Sequence, residues 1–298
     1  LDCYIFSAKG LEVTRAPLAL FKRSLLFYLF AVVAQIATAQ TAARPAPVPA
    51  PSATNATVTT APVDNTVPDD PAVNEMLTAY SPKVRALDEV IGKLKGDLRK
   101  GGVGAGSLGN FVTDGIRARA AVKLGAPVML AVTNNGGLRK NAISEGELKL
   151  RDVFELLPFE NALVAFDLSG AQVMELLRVM MSHADAQSGA RVTYRVNPEK
   201  RPEFESAKFI VNGAEKAIDP ASVYTIICID YLLNVTGGDY AAVLKQAKNI
   251  RPLGVTIRDA ITEYVKAETA AGREIKSTLD GRYVFDRAAS GGAEEPKQ

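Results

Sequence analysis

The sequence is poor in the residues that most often carry chemistry. Its 298 residues include one histidine, two cysteines and no tryptophan. A single histidine, His183, cannot supply a metal site built on several imidazoles. It leaves a Ser-His-Asp set with one candidate base, and no nucleophile-elbow motif accompanies it. His183 lies beside Met181 and Asp185 and reads as a cap at a helix end. No P-loop or dinucleotide glycine fingerprint is present. The segment GGVGAGSLGN, residues 101–110, looks like a glycine loop ahead of a helix. It lacks Gly-Lys-Ser/Thr and a preceding strand, so it is a weak phosphate cradle. A net charge of +2 names no partner. Without a dense basic run or a basic-aromatic interleave, nucleic-acid binding is not expected.

The scarcity of cysteine bears on compartment. Residues 1–39 read as a signal peptide. Lys22 and Arg23 precede an apolar run from Leu25 to Ala34, and Ala37-Thr38-Ala39 forms an A-x-A cleavage site before Gln40. The run is short for a bilayer span, so no membrane span is expected after cleavage. A retained signal anchor is the alternative. Residue 1 is Leu, which suggests a mis-set start codon. Cys3 leaves with the signal, and the mature chain keeps only Cys228. An exported protein without disulfides fits a bacterial envelope, periplasmic or secreted, better than a disulfide-stapled module. Cys228 sits in the apolar run YTIICI and reads as a core thiol rather than a nucleophile.

Residues 40–75 alternate proline with Ala, Val and Thr and read as an extended linker. From 76 to 287 the chain has the patterning of one domain, and 288–298 is a polar tail. Leu77, Tyr80, Val84, Leu87, Ile91, Leu94 and Leu98 recur at three- and four-residue steps, which predicts one helix. A second helix covers SLGNFVTDGIRARAAVKL, with Asn110 and Asp114 in a hydrogen-bond network near its start and direct ligation as the alternative. A strand is expected at Val128–Thr133. A turn and a short helix follow over Gly146–Leu156, with Pro158 as the breaker. Ala162–Asp167 is a strand. Ser169 to Gln172 is a capping box that opens a helix to Met181. Strands are also expected at Arg191–Val196 and Tyr224–Ile229, the second being the most apolar and therefore central. A hairpin at Phe209–Ile218 turns at Asn212-Gly213. Two helices come after Gly237-Gly238-Asp239, the later one starting at Thr256, and LDGRYVF closes the domain. Helices and strands interleave without strict βαβ order. The expected fold class is therefore α+β, a mixed β-sheet sandwiched by helices.

The most informative stretch runs from Val132 to Gly170. An apolar strand ends in Asn134, Asn135, Gly136, Gly137, Leu138 and Arg139. Amides that donate and accept, glycines that permit a close backbone approach, and a planar cationic fork suit a ligand-facing edge. A polar glycine turn with a solvated arginine is the bland alternative.

NNGGLR followed some twenty residues later by LPFEN resembles the C-terminal, nucleotide-binding domain of the 5'-nucleotidases. That family includes UDP-sugar hydrolases and 2',3'-cyclic phosphodiesterases. The resemblance runs from Met76 to Phe285, with GNFVTDGIR and DGR as looser motifs near its ends. It implies a slot in which Phe159 and Tyr231 sandwich a base. Asp239 would hold the ribose, with Asn134, Arg139 and Asn161 completing the pocket. Tyr231 stands where the family usually has Phe. Packing of Phe159 in the core and capping of a strand by Tyr231 are the alternatives. An arginine that the family often carries before Leu-Gly-Asn is missing from residues 102–107, and Met181 to Arg191 looks short.

The family's hydrolysis is done by a metallophosphoesterase domain with two metal ions. No Asp-x-His or Gly-Asn-His cluster occurs here, and the residues before Met76 read as signal and linker. The expectation is an exported domain that recognises a nucleoside or nucleotide. No catalytic or metal-binding residue and no cofactor of its own are assigned. Divalent metals would sit on a separately encoded metallophosphoesterase partner. A hydrolase acting alone, and a structural domain that has lost its ligand, are the other readings.

Overall fold

The computed structural model describes residues 60–291 other than 63 and 65, together with 294 and 295. The expected signal peptide and most of the expected linker lie outside the described residues. Contacts divide the chain after Pro68, and the unit from Asp69 onward carries every element below.

The first element, α1, is Pro71–Ala86. Asp70 caps it, its carboxylate accepting from the N–H of Ala72 at 2.8 Å and of Val73 at 3.2 Å. The last five residues assigned to the linker, Pro71 to Glu75, are therefore helical. Helical spacing predicted that this helix would continue to Leu98, and it does not. It stops at Leu87, and Ile91, Leu94 and Leu98 lie in strands β1 (Val90–Leu94) and β2 (Leu98–Arg99). Gly92 and Gly96 disfavour a helix there. A Cβ on Gly92 would stand 2.6 Å from Val265 Cγ1, so the strand needs glycine to pack against a later helix.

Helix α2 (Gly106–Leu124) follows a tight turn. Then come β3 (Leu130–Thr133), β4 (Ala142–Ile143), β5 (Gly146–Lys149), α3 (Leu150–Leu156) and β6 (Ala162–Ser169). Helix α4 (Gly170–Ser182) opens on the expected capping box, with Ser169 and Gln172 bonded reciprocally. Next are β7 (Ala186–Ser188), β8 (Ala190–Val196), β9 (Pro202–Val211), β10 (Ala214–Ala217) and β11 (Val223–Ile229). The hairpin between β9 and β10 turns at Asn212 and Gly213, with φ of 51° and 79°, as a type I' turn requires. The chain closes with α5 (Asp230–Leu233), α6 (Gly238–Leu244), β12 (Lys248–Thr256), α7 (Ile257–Ala270) and β13 (Tyr283–Phe285).

A five-stranded sheet in the order β12-β6-β11-β3-β7 forms the centre, and β10-β9-β8-β13 form a second sheet. β11 is central, as its apolar run implies. Strand β12 carries no strand signal in the sequence, because it lies at the sheet edge, is largely exposed and contains Pro252. Helix α2 packs on α7 and on β3 and β7, while α4 contacts β6 and β11 of the central sheet and β9 of the second. The class is α+β, with mixed strand directions and helices against the sheets.

Strand direction places the site. β11 runs parallel to β3, with Ile226 opposite Leu130, and antiparallel to β6, with Ile229 opposite Leu163. β7 is antiparallel to β3, with Ala186 opposite Thr133, and β12 is antiparallel to β6, with Thr256 opposite Ala162. The ends of β3, β11 and β12 and the starts of β6 and β7 therefore share one edge.

The core strand β11 offers a stability test. Ile226 is fully buried, whereas Val223 is 68% exposed. Ile226→Ala is expected to cost about 2–5 kcal/mol in urea unfolding. Val223→Ala should stay within about 0.5 kcal/mol.

Candidate functional site

A cleft of about 300 Å³ opens at this shared edge, lined by Asn134, Gly136, Gly137, Arg139, Phe159, Asn161 and Tyr231. Five of the six residues singled out in the sequence meet here. Asp239 is not among the lining residues. It is exposed in the first turn of α6, beside the buried Tyr240. Phe159 is 46% and Tyr231 55% exposed, so neither ring is spent in the core.

The Asn-Gly loop leaves β3 as a single 3₁₀ turn, Asn135–Gly137, with Gly137 N donating to Asn134 O at 3.1 Å. A Cβ on Gly137 would come within 2.9 Å of Asn134 Oδ1, so the second glycine makes room for that amide. The Oδ1 atoms of Asn134 and Asn135 are buried and find no hydrogen-bond partner among the described residues. Unsatisfied acceptors of this kind are rare in folded proteins; of the two residues, Asn134 lines the cleft and Asn135 does not. Arg139 N donates to Leu156 O at 2.9 Å, which ties the loop to α3. The Arg139 guanidinium donates to Gly136 O at 3.3 Å and lies 5.8 Å from the Phe159 ring centroid. Among the described residues it has no carboxylate partner.

Residues 102–107 carry no basic side chain, but Lys100 just ahead of them reaches the same loop. Its Nζ donates to Leu138 O at 2.8 Å. Burial, and then the nearby Arg139 charge, hold its ammonium below the usual lysine range.

The Leu-Pro-Phe turn is clamped from α7. Arg258 donates to Leu157 O at 3.5 Å and Pro158 O at 3.4 Å, pairs with the Glu160 carboxylate, and stacks 4.3 Å from the Phe154 centroid. Ile257 N donates to Asn161 O at 2.9 Å. Asp230, immediately before Tyr231, accepts from Ala162 N at 3.1 Å. The segments bearing Phe159, Asn161 and Tyr231 are thus held to one another through backbone groups. Arg258 had no motif to mark it.

A second residue without a sequence signal is Asp185, 4% exposed at the start of β7. Its Oδ1 accepts from Asn135 N at 2.6 Å, its Oδ2 accepts from the Tyr240 hydroxyl, and its backbone carbonyl accepts from Tyr283 Oη at 3.1 Å. One buried carboxylate therefore joins the Asn-Gly loop to α6. The bond to Asn135 spans 50 residues of sequence, so no local pattern announces it. Burial raises the Asp185 pKa above the ordinary 3.8, against the hydrogen bonds from Tyr240 and Asn135 and the charge of His183.

His183 is the exposed C-cap of α4, with Nδ1 2.9 Å from Val179 O and 3.0 Å from Ser182 Oγ. Cys228 is fully buried, and burial pushes its thiol up. Among the described residues no group of three His, Cys, Asp or Glu side chains converges as a metal site would require. The donor set does not fit the pair of divalent ions that the resemblance associates with hydrolysis.

The Asp185 shift has a measurable sign. A carboxyl whose pKa is raised on folding binds more protons folded than unfolded. Its stabilising contribution is complete below about pH 3.8 and is lost as pH rises through the raised value. The stability of the wild type minus that of Asp185→Asn, from urea unfolding at a series of pH values, should therefore fall as pH rises from 3 toward neutrality. A difference that is flat or increases with pH contradicts this.

Comparison with known proteins follows the same lines as the geometry. Residues 89–246, more than half of the chain, match the model of the 5'-nucleotidase, C-terminal domain. The chain is 29% identical over 184 residues to the trifunctional nucleotide phosphoesterase protein YfkN of Bacillus subtilis, covering 59% of this chain and 12% of that protein. It is 28% identical over 192 residues to the cell wall protein Lmo0130 of Listeria monocytogenes, covering 61% of this chain and 24% of that protein. The solved 5'-nucleotidase precursor of Thermus thermophilus superposes with a TM-score of 0.59 at 24% identity, over 72% of this chain and 43% of that one. The chain spans less than half the length of each of these relatives. With that match over more than half of its length, the chain is a member of the 5'-nucleotidase C-terminal domain family.

Proposed function

We propose that the cleft binds a nucleoside or nucleotide, with the base between Phe159 and Tyr231. The observation that carries this reading is two half-exposed aromatic rings lining one cleft with two amides and an arginine that lacks a carboxylate partner. An aromatic face exposed at a cleft suits a flat π-system, and base stacking tolerates any base. Asn134 and Asn161 offer both donors and acceptors to the base or sugar. Asp239, in the first turn of α6 and outside the lining residues, is the acceptor that the resemblance assigns to the ribose hydroxyls. Arg139 faces the anionic end of a nucleotide, where its planar fork suits phosphate oxygens.

The domain works as the recognition half of a nucleotide-degrading system and is paired with a separately encoded metallophosphoesterase. What supports that pairing is that among the described residues no three His, Cys, Asp or Glu side chains converge as metal ligands would. Export to the cell envelope is part of the same proposal. It is supported by the A-x-A pattern at Ala37 to Ala39 and by the likeness to a cell wall protein.

Calorimetry with adenosine, AMP and UMP tests the cleft. Phe159→Ala and Tyr231→Ala are each expected to weaken binding by about 1–3 kcal/mol, roughly 5- to 160-fold. Asp239→Ala should discriminate ribose from a base without sugar. Absence of binding by the wild type, or unchanged affinity in both aromatic variants, would sink the proposal. The purified chain is also expected to release no phosphate from AMP when Mn²⁺ is added. Release at a rate set by the chain's own concentration would assign it hydrolysis instead.

A further inference from the structure

We propose a second ligand site, for a small flat monocarboxylate, in the cavity at the other end of β3. This cavity, of about 430 Å³, is lined by Asp114, Arg117 and Ala118 of α2, by Pro127 and Val128 ahead of β3, and by Ser188 and Tyr264, among others. The Asn-Gly cleft lies where β3 ends and this cavity where β3 begins. The assignment does not depend on the nucleotide reading.

Arg117 is the group that needs explaining. Its Nε donates to Val128 O at 2.9 Å, which fixes the guanidinium on the backbone. Gly189 holds it from behind. A Cβ at that position would meet Met129 O at 2.0 Å and Arg117 Cζ at 3.3 Å. The two terminal nitrogens make no hydrogen bond or ion pair with a described residue. The obvious partners are already engaged. Arg282 takes Asp114 at 3.0 Å and Asp280 at 2.7 Å. Burial holds the Arg117 guanidinium below the usual arginine range, with Asp114 acting against that and Arg282 with it. A partly desolvated guanidinium with a free edge is the group that best recognises a planar oxyanion in two-point fashion.

The rest of the cavity selects among oxyanions. Arg117 and Arg282 carry two positive charges, and Asp114 and Asp280 two negative ones. One added negative charge is tolerated more readily than the two of a phosphate dianion. Ser188 is 3% exposed, lines the cavity, and its hydroxyl makes no hydrogen bond to a described residue. It can donate to the second carboxylate oxygen or to a substituent. The Tyr264 ring forms a wall, brought against α2 because Gly115 has no Cβ. An added Cβ there would stand 2.9 Å from Tyr264 Cδ1. Ala118 and Pro127 leave the remaining surface small and apolar. A flat body bearing a single carboxylate matches these walls.

The test is a ¹H–¹⁵N NMR titration of the full chain with benzoate, and separately with inorganic phosphate at matched ionic strength. Benzoate is expected to give saturable shifts at the amides of Val128 and Ser188, and phosphate none. Arg117→Gln should weaken benzoate at least tenfold. Ala118→Leu places bulk in the cavity from an exposed helix position and should do the same, which decides the matter if Arg117→Gln does not fold. The proposal is overturned by an absence of saturable shifts, or by benzoate affinity unchanged in Ala118→Leu. Preference for phosphate, or shifts confined to residues around Phe159 and Tyr231, overturns it equally.

Discussion

β11 runs parallel to β3 and antiparallel to β6, and this arrangement sets the position of everything around the cleft. The parallel pairing is brief, Ile226 with Leu130 and Ile227 with Ala131. It is secure because both strands are buried at those positions. Both strands are buried on both faces there, so the register is held by side-chain packing and by the flanking pairings with β6 and β7 rather than by a hydrophobic alternation. Tyr231 follows β11 by two residues and Asn134 follows β3 by one. The energy that fixes the core therefore also fixes the spacing of those two groups. Phe159 and Asn161 arrive from the other direction, ahead of the antiparallel β6. A fully parallel sheet would send them to the far edge.

Burial of Asp185 is the second condition, and it runs against the usual placement of a carboxylate. An ionised carboxyl removed from water is costly unless hydrogen bonds satisfy its oxygens. Both side-chain oxygens are satisfied here, by Asn135 N and the Tyr240 hydroxyl. The burial of Tyr240, reinforced by the nearby carboxylate, raises its own pKa, so the phenol stays protonated and remains a donor. The arrangement orders a loop that contains two glycines. Such a loop would otherwise carry more conformational freedom than one with a side chain at every position.

Much of the fold was legible because the local signals were strong and agreed with the tertiary outcome. The capping box at Ser169, the Asn212-Gly213 turn and the apolar run of β11 each have a short-range physical cause. The helix drawn through Ile91, Leu94 and Leu98 failed because three- and four-residue spacing in a short segment cannot separate a helix from two brief strands. Gly92 carried the corrective signal, since its lack of a side chain is required by Val265. At the cleft, Asn134 and Arg139 lie in one contiguous motif and Phe159 and Asn161 in another, whereas Tyr231 was placed by the resemblance alone. Asp185 and Arg258 were not, since each acts on backbone groups distant in sequence. Lys100 stands outside any motif, two residues ahead of the span that lacks the family's basic residue.

The way the Leu-Pro-Phe turn is held follows from where its phenylalanine lies. A ring left half-exposed, as Phe159 is, cannot anchor its own loop by burial, which is the common means of fixing an aromatic side chain. The turn therefore needs restraint from elsewhere. Arg258 supplies it through the carbonyls of Leu157 and Pro158, the Glu160 carboxylate and the face of Phe154. The Arg258 side chain is 11% exposed but that of Glu160 is 76% exposed, so the ion pair is screened as a surface pair is, and the carbonyl bonds and ring contact behind it hold the turn. Lysine could not replace it, since one ammonium cannot reach two carbonyls and a carboxylate while stacking on a ring. The apolar surface left open at Phe159 is thus offset by polar order behind it, and the turn keeps its shape without burial of that ring.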